Sequence, residues 1–122
     1  MEQYLSVINE KRDLLEQTAD FLWDNPETAF TEYRSAAYLC EVLRKEGFAV
    51  EENLAGIATA FSGSFGSGKP VIGILGEFDT LSGLSQIAGA TEPISAGGEA
   101  GHGCGHNLLG TGSLGAAIAV KA

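Results

Sequence analysis

Apolar residues in the first part of the chain recur with a helical period. Leu5, Ile8, Leu15, Ala19 and Leu22 fall on one face of a stretch from residue 3 to 23, with Glu, Lys and Asp opposite. Asn25-Pro26 stops it, because proline disfavours helix in the residue before it. A second helix is predicted from about Glu32 to Glu46, with Ala36, Leu39, Cys40 and Leu43 as its buried stripe and Gly47 just past its end. Cys40 then reads as a small core residue. After Gly47 the period changes. Phe48–Glu52 and Ile57–Phe61 read as short strands and Val71–Leu75 as a fully buried one. From Thr80 to Gly105 the chain is rich in glycine with little periodicity, the mark of a functional loop when it lies inside a compact domain. A last helix is predicted over Leu108–Lys121. Helix, helix, strand, strand, strand, loop, helix gives an α/β layered class with a mixed sheet. It reads as incomplete, because Val71–Leu75 has too few strand partners to be the middle of a finished sheet.

Composition narrows the class. The chain has 122 residues, 44% of them apolar, enough to build a core as one domain. Its formal charge is −9, from 16 acidic and 7 basic residues, which disfavours nucleic acid and anionic membrane as partners. The opening MEQYLSVINEKRDLLEQ has no unbroken apolar core, so it does not read as a signal peptide, and no apolar run approaches the ~20 residues of a membrane span. Two cysteines, Cys40 and Cys104, make no disulfide framework, so reduced thiols and a cytoplasmic location are expected.

The chemistry concentrates in two places. GHGCGHNLLGTGSLGAA, from Gly101 to Ala117, carries both histidines of the chain and one of its cysteines at alternate positions, His102, Cys104 and His106. On an extended backbone such residues share a face, and imidazole and thiolate are transition-metal donors. GEFDTLSG, Gly76 to Gly83, follows the apolar run 71–75; Glu77 and Asp79, two apart, share a face there and could bind a metal or orient a ligating imidazole. Two other patterns fail on context. Gly63–Lys69 fits the start of a phosphate loop, but Pro70 follows where a hydroxyl is needed, and a strand is expected next instead of a helix. Gly110–Gly115 fits GxGxxG without the preceding strand or the later acidic residue, so its small residues read as letting this helix pack closely against the sheet.

GEFDTLSGLSQ followed by GHGCGHNLLGTGSLGAA resembles the aminoacylase and hippurate-hydrolase family of dinuclear metallo-amidohydrolases, and within it the aminobenzoyl-glutamate utilization branch, with its GEYDALPGLSQ and HACGHNLLG wording. NPETAFTEYRSAAYLCEVLRKEGFAV resembles the family's upstream PE…E…A…L…G pattern. The resemblance covers the chain from about residue 20 onward. It implies a zinc-peptidase-like α/β/α catalytic domain, of which residues 1–122 are the N-terminal part, without the dimerisation (lid) domain.

Carried over by position, Cys104 matches the bridging metal ligand, often Asp in relatives, and His106 matches the second ligand of this branch. Asp79 matches the Asp that orients a ligand. Glu77 falls where other branches place a metal-binding His and is a metal candidate on that position. His102 matches a histidine this branch does not generally use as a ligand. Gly103 stands for the usual Ala and Ser82 for the usual Pro; neither change removes a chemical group. The implied function is hydrolysis of N-acyl amino acids or dipeptide-like amides of the aminobenzoyl-glutamate type, with two divalent ions, Zn or Mn, this chain supplying the first ligands only. The family's general-base Glu cannot be matched within these residues. The substrate would be a small-molecule amide and the full-length protein a homo- or hetero-oligomer. The alternatives are a small non-catalytic metal-binding protein that uses Cys104 and His106, and a structural domain whose GHGCGH stretch is a flexible loop.

Overall fold

A computed structural model describes residues 1–122 as a mixed α/β chain of four helices and two small antiparallel ladders. The amphipathic N-terminal stretch is two helices, α1 (Glu2–Glu10) and α2 (Arg12–Asp24), in place of one. Hydrogen bonds from Lys11 N to Val7 O and from Leu15 N to Lys11 O, both 3.0 Å, carry the helical register across the break, so it is a bend at Lys11. Both helices lie against α4 (His106–Lys121), where a Cβ on Gly115 would meet Leu15 Cδ1 at 3.2 Å and Ile8 Cδ1 at 3.4 Å. Of the GxGxxG glycines, Gly115 thus serves packing on helices and not on a sheet, Gly110 admits the backbone of Glu77, and a Cβ on Gly112 would meet nothing within 4 Å. No helix is long and apolar enough to cross a membrane.

Helix α3 (Tyr33–Lys45) buries Ala36, Leu39, Cys40 and Leu43 as the spacing implied. Its start is capped from a distance: the Glu27 carboxylate accepts the N–H groups of Arg34 at 3.0 Å and Ser35 at 2.8 Å, two donors with no intrahelical partner. Its end is a Schellman motif. Phe48 N bonds to Leu43 O and Gly47 N to Arg44 O, with Gly47 at φ +85°, a left-handed conformation that favours glycine. Leu22, Leu39, Val42, Leu43, Leu114 and Ile118 form the core, joining α2, α3 and α4. Burying each such side chain contributes on the order of 1.5–3 kcal/mol. The buried Cys40 thiol is pushed up to about 11, chiefly by desolvation, which fits a packing role and no thiolate chemistry.

The single mixed sheet does not form. Strand β1 (Ala49–Glu52) pairs antiparallel with β2 (Phe61–Ser64), Ala49 opposite Ser64 and Glu52 opposite Phe61. The second strand is thus displaced from Ile57–Phe61. Asn53 and Ala55 adopt positive φ in a 3-10 turn over Leu54–Gly56, and Ala60 N bonds back to Ile57 O, so residues 57–60 belong to the connection. Val71–Leu75 is neither a strand nor buried: Val71 is 84% and Leu75 92% exposed. An apolar run states what burial a segment needs, but a strand also needs a neighbour for its backbone, and here an open groove of about 740 Å3 separates residues 72–79 from β2. The long glycine-rich segment is closed by a second ladder, β3 (Leu81–Ser82) with β4 (Ala100–Gly101), and by Ser85 Oγ accepting N–H groups from Ala96 and Gly98 at 3.2 Å.

Candidate metal centre

The residues of the GEFD stretch reach the start of α4 because small side chains let the backbone lie against that helix. A Cβ on Gly110 would stand 3.0 Å from Glu77 O, and one on Gly76 would stand 3.0 Å from Ser113 Cβ. Ser113 Oγ donates to Leu75 O at 2.6 Å. At the other end, Thr80 N donates to Glu27 O at 2.9 Å, and Thr28 forms an isolated parallel bridge with Thr80. Glu27 thus caps α3 with its carboxylate and anchors the site segment with its carbonyl. The only local sign of this role is an acidic residue placed after Asn-Pro and ahead of a helix.

Three of the four expected site residues come together. One donor atom each from Glu77, Asp79 and His106 lies within 4.8 Å of the others. His106, first residue of α4, donates Nδ1–H to Asp79 Oδ1 at 2.8 Å, since a carboxylate can only accept. Asp79 thus sits where a carboxylate orients an imidazole. This tautomer turns the Nε2 lone pair towards Glu77 Oε2, 3.3 Å away. Two acceptors facing each other at that distance repel unless a cation, or a proton on Nε2, lies between them. Two ligands held at ~2.0–2.1 Å in a tetrahedral shell stand about 3.3–3.4 Å apart, so the observed spacing fits shared coordination of one ion. His106 is largely buried while Glu77 is open to solvent, leaving a path of entry. Cys104 lies outside this cluster, on an exposed turn two residues before His106.

The shared face of His102, Cys104 and His106 does not survive folding. It required an extended backbone, but Gly105 N bonds to His102 O at 3.0 Å and Gly105 takes φ +85°, so the chain turns between the histidines. His102 points inward, 5% exposed, and both ring nitrogens are engaged. Nε2 donates to Leu22 O at 2.9 Å, and Nδ1 accepts the N–H of Asn107 at 3.1 Å. Leu22 O can only accept and a backbone N–H can only donate, so the ring is a neutral Nε2–H tautomer capping the first turn of α4. With both nitrogens engaged, neither has a lone pair free for a metal.

Burial lowers the His102 pKa from the ordinary 6.5; the Leu22 carbonyl opposes this and His106 reinforces it. A histidine that protonates more readily unfolded than folded contributes stability that is present above the unfolded value and lost as pH falls through the folded one. Urea midpoints are therefore expected to drop between about pH 7.5 and about pH 5.5, and His102→Gln should lower both midpoints but shrink the difference. An equal drop in both proteins would remove His102 as a source of acid sensitivity.

No family model matches the chain. Over 116 residues, 94% of its length, it is 54% identical to a subunit of the p-aminobenzoyl-glutamate hydrolase of Escherichia coli (strain K12). The match covers 24% of that protein, so the chain spans about a quarter of its relative's length. Through nearly all of its residues, then, this chain is similar to a hydrolase subunit of the branch that its GEFDTLSGLSQ and CGHN stretches resemble.

Proposed function

We propose that the chain forms part of a metal-dependent amidohydrolase of the aminoacylase and hippurate-hydrolase family, acting on p-aminobenzoyl-glutamate or a closely related N-acyl amino acid. The observation that carries this reading is the Glu77–His106–Asp79 arrangement, an imidazole fixed by one carboxylate and aimed at another. The name of the relative supplies the substrate class. In this reading the residues belong to a layered zinc-peptidase-like domain, and the active protein is an oligomer working in the cytoplasm.

His106 Nε2 and Glu77 Oε2 would hold one divalent ion, Zn or Mn, and Cys104, outside that cluster, would be a further thiolate donor by the family resemblance. Bound there, such ions supply a water of lowered pKa and polarise the scissile carbonyl. Asp79 keeps the His106 Nδ1 proton in place, which fixes the tautomer and strengthens the imidazole as a donor. The proton of that water needs a further carboxylate base, which the family resemblance places outside these residues.

Zinc titration of the 122-residue chain tests the site directly. His106→Ala should abolish binding, Asp79→Asn should weaken it about 10–100-fold, and His102→Gln should leave the stoichiometry unchanged. Zinc affinity untouched by His106→Ala would mean that a proton, not a metal, reconciles His106 with Glu77. Binding that survives in the full-length enzyme without turnover would favour the non-catalytic metal-binding alternative.

A further inference from the structure

Glu27 is held by its side chain and by its backbone, and the two ties lead to different parts of the fold. Its carboxylate accepts the Arg34 N–H through Oε2 at 3.0 Å and the Ser35 N–H through Oε1 at 2.8 Å. These are charge-assisted bonds at the positive end of a 13-residue helix, stronger than bonds between neutral groups. Its carbonyl accepts the Thr80 N–H at 2.9 Å, beside the parallel bridge between Thr28 and Thr80. Thr80 follows Asp79, and Asp79 Oδ1 accepts from His106 Nδ1 at 2.8 Å. One residue therefore joins the start of α3 to the carboxylate that orients the candidate metal ligand.

We propose that Glu27 is a positioning residue of the metal centre, acting on His106 through Thr80 and Asp79; its effect on zinc rests on the function proposed above. The carboxylate and the carbonyl stem from one Cα, so anchoring the first on α3 limits how far the second can move. The rest of the loop cannot take over this role. Thr31 N and Oγ1 both bond back to Thr28 O, at 3.0 and 2.7 Å, which closes a turn that leaves residue 27 outside it. On the other side, the bond from Ser35 Oγ to Asn25 O is long, 3.4 Å. With the carboxylate removed, Thr80 loses a fixed acceptor and Asp79 is free to turn from His106. The imidazole is then no longer held in one tautomer. Glu27 is not among the clustered donors, so its effect on a metal is indirect.

Nitrogen-15 spectra of the two imidazoles in the intact 122-residue chain read this link without any metal. At about pH 8 an ordinary imidazole is neutral, and the wild type should show His106 protonated at Nδ1 and His102 at Nε2. Glu27→Ala should turn His106 into a mixture of tautomers and leave His102 unchanged. A general loss of structure would alter both, since His102 donates to Leu22 O. Glu27→Gln keeps one acceptor and should fall between Glu27→Ala and the wild type. Gly47→Ala loosens the opposite end of α3, where φ is +85°, and should leave both rings as in the wild type. With zinc, Glu27→Ala should weaken binding about tenfold, but not at all in an Asp79→Asn background, because the link acts through Asp79. A His106 tautomer unmoved in both Glu27 variants overturns the proposal. So does an equal loss of zinc affinity with and without Asp79→Asn, the result of a helix cap with no link to the site. A wild type that binds no zinc would count against the metal-centre reading alone, and the tautomer comparison would still decide the role of Glu27.

Discussion

Purified as these 122 residues, the chain is expected to leave p-aminobenzoyl-glutamate uncleaved in zinc or manganese. Hydrolysis needs a group that takes the proton of the attacking water and passes it to the leaving nitrogen, and positioned acid–base help is worth ~10²–10⁴-fold. The two carboxylates at the site cannot supply it. Asp79 is bound to His106 Nδ1 at 2.8 Å, and Glu77 faces Nε2 at 3.3 Å, where it would be a ligand. A carboxylate committed to an imidazole or a cation is a poor base, since its lone pairs are in use. Metal-dependent turnover by the isolated chain, at a rate comparable with the longer relative, would require a complete site within these residues or across two copies. Under the proposed function, a Cys104→Ser variant of the longer protein adds a second test. A neutral hydroxyl is a far poorer metal donor than a thiolate, so activity should fall severely, and unchanged activity and metal content would remove Cys104 from the site.

How far the sequence foretold this molecule depends on which physical signal each part relied on. Helical periodicity was enough for α3, because the same spacing that makes an apolar stripe also buries it; Ala36, Leu39, Cys40 and Leu43 are all in the core. Gly47 was legible for a similar reason, as its φ of +85° is one that residues with side chains rarely adopt. The Val71–Leu75 run was readable only as an appetite for burial. Whether it is met depends on a neighbouring strand, and a local pattern cannot reveal one. The site shows the same division. Glu77 and Asp79 share a face as their spacing implied, and both reach His106. The alternation of His102, Cys104 and His106 misled because it presupposed an extended backbone, while Gly105 at φ +85° permits the turn that buries His102. Asn107 supplies the N–H that His102 accepts, and nothing in the histidine spacing marks that contact.

Gly101→Ala should be the most damaging single-atom-scale change in the chain. Gly101 is buried in β4, opposite Leu81, and a Cβ there would fall 2.0 Å from Leu84 O and 2.7 Å from Leu84 C. Both are backbone atoms, so no side-chain rotation relieves the overlap; either the β3–β4 ladder opens or residues 84–85 move. Overpacking of this kind costs about 1–3 kcal/mol, occasionally more, and backbone obstruction puts this case at the upper end. A loss of about 3 kcal/mol would lower the melting temperature of a domain of this size by roughly 10–20 °C. The damage should also reach the metal centre. His102, the next residue, caps α4 through Asn107 N and ties it to Leu22 O, and α4 begins with His106. Zinc affinity is therefore expected to fall in Gly101→Ala even though Gly101 touches no candidate ligand. Gly103→Ala is the control. Its Cβ would crowd Leu84 Cδ1, the end of a flexible side chain that is 44% exposed and can swing aside, leaving only a 3.1 Å approach to Leu84 Cβ that a small shift relieves. Equal melting temperatures for the Gly101 and Gly103 variants would show that the close approach of residue 84 to β4 does not hold the loop to the start of α4.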